Sequence, residues 1–192
     1  MDKVKRVTIS VITVLLIIVF IVELGNNITG YSILNRKIDL SSYPLPFVMN
    51  NLYNDLYIVV PDSYNFNELV AADKIALGLQ DGRLGKPIII KENQIPQGTH
   101  NLIIVGKACD MQLISESFRT SECTSSLDEN KGLIKFIDVG TKKYLIVTGY
   151  SDEDILKAAT ILRNYKTYDL YGKEIIVSGD TKNILSLGLE IK

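Results

Sequence analysis

The sequence predicts an α/β domain, a three-layer fold with a mostly parallel sheet plus an antiparallel hairpin, preceded by one N-terminal transmembrane helix. Three observations carry this. Near-continuous apolar runs at residues 55–60 (DLYIVV), 87–90 (PIII) and 100–105 (HNLIIV) have the length of strands covered on both faces, as in parallel sheets. Helical patterns alternate with these runs, as right-handed crossovers require. Residues 7–22 (VTISVITVLLIIVFIV) contain no charge.

That uncharged run spans roughly 24 Å as a helix, slightly short of a ~30 Å hydrocarbon core. Lys3, Lys5 and Arg6 precede it and Glu23 ends it. Snorkelling of these side chains makes up the difference, and the basic flank stays in the cytoplasm. The expected order is a cytoplasmic flank (1–6), a transmembrane signal anchor (7–25), a polar stem (26–42) and an extracellular domain (43–192). A cleaved signal peptide is the alternative. Glu23 and Leu24 spoil a small-x-small site next to the apolar run, which favours a retained anchor in the cell membrane.

Export changes the reading of other residues. Asn27-Ile28-Thr29 is an N-glycosylation sequon close behind the apolar run. Cys109 and Cys123 are the two cysteines of the chain, and outside the cytoplasm a pair favours a disulfide. Buried free thiols are the alternative for these two.

Within the domain, the prolines of Tyr43-Pro44-Leu45-Pro46-Phe47-Val48 exclude a helix and predict an extended strap. The run at 55–60 is the first strand. Asn67 is read as the cap of a helix over residues 68–80, ending at Gly82. Residues 87–90 and 100–105 are two further buried strands, and 110–118 is a short helix. Residues 132–138 and 143–148 flank a glycine-bearing gap that suits a hairpin. Ser151 and Asp154 have capping-box spacing, and Ile155, Ala158, Ala159 and Leu162 form one apolar stripe. Residues 174–177 are a strand, and the alternation over 181–192 predicts an edge strand.

Composition narrows function. The chain has 192 residues, 46% hydrophobic and 22% charged, with a net charge of −1. No basic stripe is available for nucleic acid. His100 is the one histidine, so a histidine-based triad or zinc site has little to build on. No dinucleotide, phosphate-loop, nucleophile-elbow, zincin or EF-hand motif occurs. Asp62-Ser63 follows the first strand, where α/β ligand sites form, but the loop lacks glycines and Pro61 lacks a donor. Asp152, Glu153 and Asp154 suit a helix N-terminus and equally a cation; capping accounts for them without a metal. Tyr165, Tyr168 and Tyr171 cluster after that helix.

Several stretches, in order, resemble the outer, C-terminal domain of archaeal S-layer proteins. Tyr43-Pro44-Leu45-Pro46-Phe47-Val48 resembles its opening YPxPFV strap. Residues 57–62 with 71–76 resemble its first strand and helix, with Pro61 replacing the usual glycine. Residues 101–106, followed by Ala108-Cys109-Asp110, resemble its NLIxVGxxC segment. Residues 147–154, with Ala158, Ala159 and Leu162, resemble its VAGYSxEDTxxAAxxL helix start. The resemblance covers about residues 43–178 and departs from the family in size, with one module and an anchor. It implies a non-enzymatic cell-surface module, structural or interacting, with no catalytic, cofactor or metal residues. The expected partners are the membrane and other surface-layer proteins or a second copy. The alternative is an exported ligand- or ion-binding domain, then a glycan-processing enzyme using Asp62 and Asp110.

Overall fold

The computed structural model describes residues 38–80, 85–119, 127–180 and 187–191. The expected anchor, Asn27, Gly82 and Cys123 lie outside the described residues. Among those described, no helix is long and apolar enough to cross a membrane.

The strands are β1 (Val48–Met49), β2 (Leu52–Tyr53), β3 (Leu56–Val60), β4 (Ile88–Lys91), β5 (Asn101–Val105), β6 (Gly132–Val139), β7 (Lys142–Gly149), β8 (Glu174–Ser178) and β9 (Gly188–Ile191). The helices are α1 (Phe66–Leu79), α2 (Gln112–Phe118) and α3 (Asp152–Arg163). β1 and β2 form a small antiparallel pair that the sequence reading left out. The other seven form one sheet, in the order β4-β3-β5-β7-β6-β8-β9. The class is α/β as predicted, with a parallel set of strands that an antiparallel set extends into one mixed sheet. β4, β3, β5 and β7 pair in parallel, whereas β6 pairs antiparallel with β7 and β8, and β8 with β9. The hairpin β6–β7 reverses the chain inside the sheet, so β8 returns beside β6 rather than beside a parallel neighbour. Gly140, at φ 63°, opens its two-residue turn, a position that favours glycine.

Strand side chains alternate between two cores. Ile58, Val60, Ile103, Val105, Leu145, Val147, Ile134 and Ile175 face α1 and α3. Val59, Leu102, Ile104 and Ile146 face Met111 and Ile114, at the start and within α2. Two helices on one face and one short helix on the other make the three expected layers.

The strap differs from its expected shape. Tyr43–Pro44 and Leu45–Pro46 are both cis, and the segment makes successive turns, with Leu45 N–H bonded to Ser42 O and Phe47 N–H to Pro44 O. It docks nonetheless: Tyr43 and Phe47 are buried, and their rings lie against Tyr165 and Phe136 respectively. Leu40 is buried with them, so the packed core includes a residue upstream of the strap.

Two further expectations change. The cap of α1 is Asn65, not Asn67: its side chain accepts from Glu68 N–H while the Glu68 carboxylate accepts from Asn65 N–H. This reciprocal pair satisfies two orphan donors, so it outcompetes a cap two residues later. β4 was expected to be buried. It is instead a sheet edge with Ile88 exposed, because the chain turns back to β5 on the other side of β3.

α3 lies very close to the sheet. Gly132 and Gly149 face each other in the β6–β7 register beneath its first turn. A Cβ on Gly132 would stand 2.3 Å from Asp154 O, and one on Gly149 2.7 Å from Ile155 N. Gly78 gives α1 the same freedom against α3, since a Cβ there would sit 2.6 Å from Arg163 Cα.

Candidate functional site

The chain leaves β3 for β4 on one side and then reaches β5 on the other. The carboxyl ends of β3 and β5 therefore border a topological switch point, where ligands of open α/β sheets bind. The segments there are 61–65 after β3, 106–111 after β5 and 150–151 after β7. They lead into α1, α2 and α3.

The polar side chains at this edge are engaged with one another. Asn65, the cap of α1, donates from Nδ2 to Asp152 Oδ2 at 3.1 Å, joining the starts of α1 and α3. Lys107, from the loop after β5, lies 2.5 Å from Asp152 Oδ1 as an ion pair. Burial pulls the Lys107 ammonium down, but the carboxylates of Asp152, Asp110 and Glu68 outweigh it and leave its pKa raised. Glu68 is 1% exposed; Oε2 accepts from Asn65 N–H, whereas Oε1 has no hydrogen-bond partner among the described residues. Burial first, then Asp110 and Asp152, hold its carboxyl above the usual carboxylate range, against the pull of the Asn65 N–H and Lys107.

The neighbouring acidic turn of α3 is a cap, as its sequence indicates. Ser151 Oγ accepts from Asp154 N–H at 3.3 Å, and Asp154 Oδ2 accepts from Ser151 N–H at 3.0 Å. Asp154 Oδ1 also takes the Lys157 ammonium at 2.7 Å, in a pair exposed by only 1% and 5%. Lys157 donates further to Asn130 O. Capping and this buried pair account for Asp154; Asp152 binds Asn65 and Lys107. Among the described residues, no group of three or more His, Cys, Asp or Glu side chains is arranged to hold a metal ion.

The remaining candidates are spread apart. Asp62 Oδ1 accepts from Asn93 N–H at 3.0 Å. Asp110 acts electrostatically on Glu68 and Lys107, whereas Asp62 is not among the charges that shift either. His100 lies at the opposite, amino-terminal end of β5, with its backbone N–H 2.9 Å and Nδ1 3.5 Å from Asp55 Oδ2. The length of β5 thus separates the histidine from Ser63 and Ser151. Cys109 is disulfide-bonded. Tyr165, Tyr168 and Tyr171 line a shallow depression together with Tyr43, which the strap contributes. Burial, with Tyr165 and Tyr53 nearby, pushes the Tyr43 hydroxyl far above the usual phenol range.

Lys107 and Glu68 were absent from the sequence reading. The spacing Asn65-x-x-Glu68 is a readable capping box, but no local pattern signals that Asn65 and Asp152 meet across 87 residues. No protein-family model matches the chain, and no curated protein matches it.

Proposed function

We propose that the chain is a non-enzymatic, membrane-anchored cell-surface protein whose α/β domain is an S-layer-like structural or interaction module on the extracellular side. The observation that carries this reading is the uncharged run at 7–22, basic on its amino side, followed by the ordered stretches that resemble the S-layer outer domain. The engagement of the carboxyl-edge side chains with each other supports it: Asn65 and Asp152 join the starts of α1 and α3, and Asp154 and Lys157 tie the first turn of α3 to the backbone of Asn130. Such groups give rigidity to a module that presents its outer surface. A Cys109–Cys123 disulfide belongs to the same reading, since it needs an oxidising compartment.

Alkaline carbonate extraction of host-cell membranes tests the anchor. The chain is expected to stay in the membrane pellet and to be released by detergent. Recovery in the soluble fraction before carbonate treatment would contradict the reading.

A further inference from the structure

The outward face of α1 carries an apolar stripe that the fold does not cover. Ala71, Ala72, Ile75, Ala76 and Leu79 bury the inner face. Phe66, Val70 and Leu77, at i, i+4 and i+11, share the opposite face with Asp73, at i+7, whose charge Lys86 offsets. Phe66 is 78% exposed and Leu77 38%. Beside this stripe lies a depression of about 470 Å³ whose lining includes Val70, Leu77, Lys74 and Arg163.

The charges at this depression are unbalanced. Asp73, its one carboxylate, is paired with Lys86. Lys74 and Arg163 have neither an ion pair nor a hydrogen bond to a side chain among the described residues. The two cations are close enough to interact: burial, then the Arg163 charge, lower the Lys74 pKa. Leu77 and Arg163 continue into a second depression of about 370 Å³ that Lys166 also lines. Two neighbouring like charges repel until an anion bridges them, and the planar guanidinium suits a carboxylate.

We infer that the outer face of α1, with the carboxyl end of α3, is a docking surface for an acidic amphipathic segment of a partner protein. Apolar side chains of that segment cover Phe66, Val70 and Leu77, and a carboxylate bridges Lys74 and Arg163. Charge complementarity argues for this occupant. A lipid surface fits less well, because polybasic membrane sites use clusters of about 4–8 cations. The inference names a partner class for the interaction module proposed above and so rests on that reading.

The test is a photoreactive amino acid at Leu77 of the full chain, expressed in its own host and irradiated in intact cells, with adducts sequenced by mass spectrometry. Adducts should map to a segment of another protein in which Asp or Glu flanks apolar residues. The double substitution Lys74→Glu/Arg163→Glu should cut their yield about tenfold or more. The same reagent at Val139, exposed in the β6–β7 hairpin and outside both depressions, should give no charge-dependent adduct. A thermal melt of the double variant verifies its folding. Adducts only to lipid, only to a second copy, to a segment without acids, or in a yield that charge reversal leaves unchanged would overturn the inference, as would their absence. A wrong compartment, by contrast, overturns the surface reading and leaves the adduct chemistry readable.

Discussion

Asp154→Ala is the perturbation that best separates a structural acid from a ligand. The carboxylate is 1% exposed and takes Ser151 N–H, Ser151 Oγ and the Lys157 ammonium. Its removal deletes half of the capping box, which costs about 1 kcal/mol. It also leaves Lys157, 4% exposed, with Asn130 O as its one remaining acceptor among the described residues. Breaking a buried ion pair from one side costs about 3–5 kcal/mol, and that larger effect dominates. The assay is urea denaturation of the detergent-solubilised chain, followed by circular dichroism because the chain has no tryptophan. Asp154→Ala/Lys157→Met, which removes both charges, should recover most of the loss. Millimolar calcium should leave the wild-type midpoint where it is. A loss below about 1 kcal/mol in the single variant, no recovery in the double variant, or a calcium-dependent midpoint would refute the reasoning.

Three further outcomes follow from the packing and the charges. Gly132→Ala should cost about 2–3 kcal/mol, since its Cβ meets Asp154 O at 2.3 Å and the first turn of α3 must shift; Gly85→Ala, with open space around it, should stay within about 0.5 kcal/mol in the same melt. The raised Glu68 pKa makes the folded state bind its proton more tightly than the unfolded chain does. Its contribution to stability is therefore fully present below the unfolded carboxyl value and is lost as pH rises through the folded one. Glu68→Gln, which keeps an acceptor for Asn65 N–H, should be stabilised relative to wild type at neutral pH, and that advantage should shrink on acidification; an advantage that grows would contradict the assignment. Cys109→Ser and Cys123→Ser should each lower stability by about 3 kcal/mol and by equal amounts, because both cut one bond; unequal losses in parallel melts would argue against their pairing.

The sequence made legible much of what rests on local chemistry, with the cap of α1, at Asn65 rather than Asn67, as the exception. Ser151 and Asp154 identify the start of α3, and its stripe of Ile155, Ala158, Ala159 and Leu162 is fully buried. The glycine gap at 140–141 places the β6–β7 hairpin, and the apolar run at 101–105 marks the central strand β5. What escaped the sequence depends on the neighbours that strands acquire. The run at 87–90 looks like a buried strand, yet its position at the sheet edge follows from where β5 inserts. The split between parallel and antiparallel pairing follows from the place of the hairpin in the strand order. The cis peptides of the strap leave no mark in a proline pattern that also fits an extended chain. At the carboxyl edge, the acids of α3 were readable as caps. Their tie to Asn65 and Lys107 was not, because it is made across separate crossovers.

Labelling of intact cells tests the surface assignment most directly. A membrane-impermeant amine reagent, applied before lysis, should modify exposed lysines of the domain, among them Lys166 and Lys173, and leave Lys3 and Lys5 unmodified until the cells are opened. Modification of Lys3 and Lys5 in intact cells, or protection of the domain lysines until lysis, would contradict it.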